Sequence, residues 1–361
     1  MMTTLFLLFI GTYTQQDSQG IYVSRFNAEH GTLEVSRLAF ECDNPTFLAL
    51  HPTKPYLYAI GKFPKGMVSA FHYDHQTGRL ELLNEQEIPG HGPCHLTVCH
   101  SDTGDAVVVA NYGSGCLASF PISSDGKIGA VASHITHTGS GPNTARQEAP
   151  HVHGVYYNVY SGGSTIAVVD LGIDTVVYYA IDLATAQLSQ SADCADLCLA
   201  PGAGPRHLAV SKDQRLTYVV NELDSTVSVF DRQTPGDAIR SVAVQSVSTL
   251  TEGKDAAKLN NSTAEIALHQ SEKFLYASNR GDDSIAVFAV EDGKLTLIQT
   301  MPSGGKTPRF FCLDPTGKFL LACNQDSGNV CVFAVDQTTG KLTPTEQSIK
   351  VPLPTCLVFA P

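Results

Sequence analysis

The sequence predicts an all-β fold, a seven-bladed β-propeller whose ring closes by pairing the C-terminal strand with the N-terminal blade. Three observations predict it. One unit recurs along the whole chain, each unit holds four short strand patterns between turn signals, and the two chain ends supply complementary parts of one unit. Self-similarity at a period of roughly fifty residues marks solenoids and propellers. Residues 218–230, 274–288 and 319–333 match in kind: an apolar run, an asparagine, a short polar turn, then an alternating run ending in Phe. Residues 56–71, 106–120 and, more loosely, 166–181 repeat it, and 5–13 with 20–26 form a seventh, incomplete copy.

The elements of a unit follow in order. Runs at 45–50, 93–98, 205–210 and 308–313 each open on a proline and read as the first strand. A turn such as 314–317 follows, in which Pro315 presets the bend and Gly317 supplies the positive φ. The two strands of the recurring unit come next. A second turn, at 74–78 or 336–340, leads to a fourth and more polar strand. Four short strands without a helical period describe an antiparallel sheet, and seven such sheets set radially leave only short, protected edges. The first copy lacks its opening strand, and residues 354–359 have the form of one. Pairing them against 5–13 ties down both ends, so the repeat argues for one domain over 1–361 where length alone suggests two.

Composition bounds the partners. A formal charge of −12 argues against a nucleic-acid or anionic-membrane surface. The apolar stretch 5–10 is too short for a membrane span and reads as a strand. Ten cysteines lie mostly inside strands with no C-x-x-C pair, which reads as reduced thiols and a cytoplasmic location.

Propeller geometry says which residues meet. The start of strand one and the end of strand two of each blade share one rim of the channel. That rim collects His95, His151, His153, Arg206, His207, Glu265 and Arg309 from strand-one starts. Tyr13, Lys62, Asn111, Tyr112, Asp170, Asn221, Glu222, Arg280, Asn324 and Gln325 come from strand-two ends. Convergent polar groups above a packed channel are the usual form of a ligand site. Guanidiniums near a carboxylate and imidazoles suit an anionic ligand and a developing oxyanion. The competing reading of Arg206 and Glu222 is a structural ion pair between strands one and two. His151 and His153 lack the acidic or thiol partners of a tetrahedral metal set, so no metal or other cofactor is expected.

The same residues carry a family resemblance. The chain resembles the lactonase family of seven-bladed propellers, which includes the propeller-type 6-phosphogluconolactonases and a fungal carboxy-muconate-lactonizing enzyme. The matching stretches are 9–14, 109–113, 146–153, 204–207, 219–230, 276–281 and 305–309, spread over nearly the full chain. The resemblance implies His151 or His153, Arg206, Glu222 and Arg280 as active-site groups, and a small anionic sugar lactone, most readily 6-phosphogluconolactone, as substrate. Water deprotonated by His153 or Glu222 would attack the carbonyl while Arg206 and Arg280 hold the oxyanion. Arg309, Lys62 and Lys306 are the candidates for a substrate phosphate, with Asn111, Tyr112 and His207 as further substrate contacts. Segment 156–163 departs from the family and belongs to the opposite rim. The alternatives are a muconate-type lactonizing isomerase and a non-catalytic interaction scaffold. The absence of Trp speaks against a WD40-type scaffold.

Overall fold

The computed structural model describes residues 5–61, 65–159, 163–191, 194–232 and 242–360. They form seven antiparallel sheets. Blade 1 combines the C-terminal strand Pro354–Ala360 with Leu5–Thr12 and Gly20–Asn27, and blade 7 ends with Leu342–Lys350. The innermost strands, from Phe47–Leu50 of blade 2 round to Pro354–Ala360, each pack on the next and close a ring. Closure has the expected form: Leu8 pairs with Phe359, Phe9 with Val358 and Ile10 with Leu357.

Each seam between neighbouring blades holds one apolar cluster, so every sheet is buried on both faces. This is why the inner strands read as nearly continuous apolar runs instead of alternating ones. In the seam that closes the ring, Leu8, Ile10 and Leu357 of blade 1 meet Leu321, Cys323 and Val330 of blade 7. Fully burying a side chain of this size is worth about 1.5–3 kcal/mol.

The outermost strands depart from four plain strands per blade. In blade 1 the outer strand is broken into Thr32–Leu33 and Arg37–Glu41, and in blade 4 into Gln187–Gln190 and Leu197–Cys198. Blades 2, 6 and 7 carry a register shift at the same level. Breaks and bulges twist an edge away from pairing with a second chain. A single helical turn, Ala256–Leu259, precedes the first strand of blade 6, capped by Asp255 and ended by Asn260 at φ 48°. Among the described residues no helix is long and apolar enough to cross a membrane.

Candidate active site

The site is built by bulges. Six innermost strands begin with a register shift against strand two, leaving extra residues opposite one partner. The single skipped residues are Cys94, His153, Arg206, Arg309 and Thr355, and in blade 6 the pair Ala264 and Glu265 stands opposite Ser278. A bulge re-aims a side chain that strict alternation would send into a seam. The bulged residues therefore turn into the channel, Cys94, His153 and Arg309 at its mouth and Arg206, Thr355 and Glu265 deeper, and the residues after them, such as His95 and His207, belong to this lower tier.

Above this tier lies a cavity of about 510 Å³, walled by Tyr13, Cys94, Tyr112, Arg146, His153, Glu222, Arg280 and Arg309 among others. Glu222 is its focus. Its Oε1 accepts from Arg146 Nη2 at 2.5 Å, and its Oε2 lies 3.0 Å from Arg280 Nη2 and 3.1 Å from Arg206 Nε. His153 Nε2 is 4.0 Å from the same Oε2. Arg280 also donates to Thr263 O at 2.9 Å and Arg206 to Ala264 O at 2.7 Å, which fixes both guanidiniums to blade 6. Arg309 forms no ion pair among the described residues; its guanidinium stands 5.6 Å over the Tyr13 ring.

Electrostatics follow from this crowding. Burial pushes the Glu222 carboxyl up, but Arg280, Arg206 and Arg146 more than reverse it and hold it at about 2. Arg206 is only 3 % exposed, and burial, then Arg280 and Arg309, bring its pKa down to about 10. Burial, followed by Arg206, His207 and Arg309, keeps His153 well below its ordinary value and so neutral. The described wall of the cavity thus presents an excess of positive charge with one carboxylate.

Only some of the expected residues reach the cavity. His153, Glu222, Arg280, Arg309 and Tyr112 face the cavity, while Arg206 lies beneath it on a small void of about 10 Å³ shared with Arg309 and His207. His151 sits behind Tyr112, stacked on its ring at 4.4 Å and held to Tyr112 O at 2.9 Å and Glu148 at 3.2 Å. His207 points down the channel to Glu265 instead of into the cavity. Asn111 is fully buried and donates to Pro89 O. Asn221, Asn279 and Asn324 are likewise buried and bonded to adjoining turns, so the recurrent asparagine anchors loops. Asp170 accepts from His151 N and Gly172 N and pairs with His137. Lys306 is exposed and does not reach the cavity wall, and Lys62 lies outside the described residues.

Arg146 and Cys94 are among the wall residues given no role from sequence. Arg146 stands in the loop before blade 4, beside the fully buried Gln147, whose amide binds Leu171 O and Asp174 at 2.8 Å each. Its only signal was membership of the 146–153 stretch that carries the resemblance. Cys94 lies 3.9 Å from His153 Nδ1 and has its thiol pushed up to about 12 by burial, so it is a packing group and not a thiolate.

One cluster of metal-ligating side chains occurs among the described residues: His51, His100 and Asp105, at strand ends of the opposite rim. His51 Nδ1 accepts from the Thr53 and Lys54 amides, so Nε2 carries the proton and faces Asp105, which Lys54 also holds at 2.6 Å. That imidazole offers no lone pair to a cation.

A propeller whose mouth concentrates guanidiniums, one carboxylate and a neutral imidazole has the form of a small-molecule site. Residues 7–359 match the family described as lactonase, 7-bladed beta-propeller. This chain belongs to that lactonase family. It is 36 % identical to the 6-phosphogluconolactonase of Bacillus subtilis over 359 residues, 99 % of each chain. A solved Lactobacillus plantarum protein is 33 % identical with a TM-score of 0.90, covering 99 % of this chain and 100 % of its own. The periplasmic gluconolactonase of Pseudomonas aeruginosa is 30 % identical, with a TM-score of 0.89 and 99 % of each chain covered.

Proposed function

We propose that this protein hydrolyses 6-phosphogluconolactone to 6-phosphogluconate in the cytoplasm. The observation that carries the reading is the surplus of guanidinium in a cavity with room for a phosphorylated sugar lactone, where Arg309 has no carboxylate partner among the described residues. Three guanidiniums are committed to Glu222, so the remaining one is available to a substrate phosphate. Ten cysteines without a disulfide support a reducing compartment.

In this reading His153 is the general base. Glu222, held ionised near a pKa of 2, is too weak a base to take a proton from water. At 4.0 Å it instead stabilises the imidazolium that forms when His153 does so. The water oxygen attacks the lactone carbonyl, Arg280 faces the resulting oxyanion, and His153 returns the proton to the ring oxygen as the carbon–oxygen bond breaks. Arg206 acts from beneath by holding Glu222 in place.

The test compares hydrolysis of the phosphorylated and unphosphorylated lactones, with the spontaneous rate subtracted. A kcat/KM at least tenfold higher for the phosphorylated lactone is expected. Equal values would remove the phosphate from the assignment, and no catalysis of either would remove the lactone.

A further inference from the structure

Below the cavity floor the channel holds a second buried carboxylate that this reaction does not use. Glu265 lies in the blade 6 bulge, and its two oxygens stand 3.1 and 3.0 Å from His207 Nδ1. Oε1 also accepts from Ile266 N at 3.0 Å. Arg206 Nη1 is 3.4 Å from both ring nitrogens of His207. An in-plane approach at that equal spacing would drive the guanidinium into the carbon between them, so it lies over the imidazole face. A column therefore runs down the channel: Glu222, Arg206, His207, Glu265.

We propose that Glu265 is a positioning residue that, through His207, sets the charge balance at Arg206 and couples anion binding in the cavity to uptake of a proton. This rests on the reading of the cavity as the site of an anionic substrate. Arg206 is a fully buried cation whose one carboxylate is shared with two other guanidiniums. Ionised Glu265 supplies the missing negative charge from below. An anion entering from above supplies it from the other side, repels the ionised form and favours the neutral one. Linkage makes the effect reciprocal, so protonation of Glu265 tightens anion binding by the same factor.

The surroundings leave Glu265 free to play this part. Burial, opposed by Arg206, the Ile266 amide and His95, holds its carboxyl up at about 7. The titratable groups facing it are Arg206 and His207 of blade 5, His95 of blade 3, Tyr156 of blade 4, Cys312 of blade 7 and Cys356 of blade 1. Burial keeps His95 and His207 well below their ordinary value and pushes Tyr156, Cys312 and Cys356 up. Arg206, near 10, stays charged. None of these partners changes charge around neutrality.

The test uses glucose 6-sulfate, whose single charge is constant where a phosphate would titrate near pH 6. Calorimetry at pH 7 in two buffers of different ionisation enthalpy should show the wild type taking up a fraction of a proton on binding. Its affinity should fall about fivefold between pH 6 and pH 8. Glu265→Gln keeps the shape and the acceptor for His207, and should bind with no proton uptake and a flat pH profile. Uptake that persists in Glu265→Gln overturns the inference. A wild type that hydrolyses lactones but binds the ester without uptake, or not at all, overturns it alone. A wild type that neither binds the ester nor hydrolyses lactones takes the proposed function with it.

Discussion

Replacing Glu222 by Gln removes the one charge that holds three guanidiniums together, and its cost can be worked from the site. The carboxyl is held at about 2 against an ordinary 4.5, although burial alone would raise it. At about 1.36 kcal/mol per pKa unit, the ionised form contributes on the order of 3 kcal/mol to stability at pH 7. Breaking a buried ion pair from one side costs about 3–5 kcal/mol, which agrees. With an unfolding entropy of ~2.1 cal/mol/K per residue over this length, the melting temperature should drop by about 4 °C. The sign with pH follows from a folded pKa below the unfolded one. The contribution is complete above pH 4.5 and is lost as pH falls towards 2. By pH 3 the gap between wild type and Glu222→Gln should be less than half its value at pH 7. The assay is thermal and denaturant unfolding of both proteins at pH 7, 4 and 3. A gap that is absent at pH 7, or the same at all three, would show that charge is not what Glu222 supplies. Activity should separate as well: the uncompensated guanidiniums hold an anionic lactone more tightly, so KM falls while kcat drops on the order of a hundredfold.

Three further outcomes are expected. Arg309→Ala should raise KM roughly tenfold or more for the phosphorylated lactone and little for the unphosphorylated one, measured side by side. His153→Gln should lower kcat by about a hundredfold or more, while His151→Phe, which preserves the stack on Tyr112, should change it only a few-fold; equal losses would mean that His151 also touches the substrate. Exhaustive chelation should leave hydrolysis unchanged, and recovery on adding a divalent cation after a loss would reveal a metal ligand among His151, His153 and Glu222.

Much of the site could be read before the fold was seen. The starts of strand one placed Arg206 and Arg309, and the ends of strand two Glu222 and Arg280, on one rim; Glu222, Arg280 and Arg309 line the cavity and Arg206 lies just beneath it. Other assignments from the same rule did not reach the cavity, for identifiable reasons. Asn111 ends its strand like Glu222 precedes its turn, but a small amide within reach of a turn carbonyl is more stable bonded to it than facing solvent. His151 and His153 have one residue between them and are equivalent on paper; the bulge at His153 turns that side chain to the cavity and leaves His151 against Tyr112. Arg146 comes from a loop between blades, where no strand period applies.

The blade count, the antiparallel sheets and the closing strand pair were all legible in the chain because they depend on local pattern. Apolar period, turn residues and recurrence are properties of neighbouring positions. Which side chains share the channel, and at what depth, was decided only by the closed ring. A one-residue register shift reverses the face a side chain takes, and that shift follows from how each strand packs against two neighbouring blades. The ionic states of Glu222, His153 and Glu265 belong to the same level. They arise from burial and from guanidiniums brought together from separate blades and the loop before blade 4.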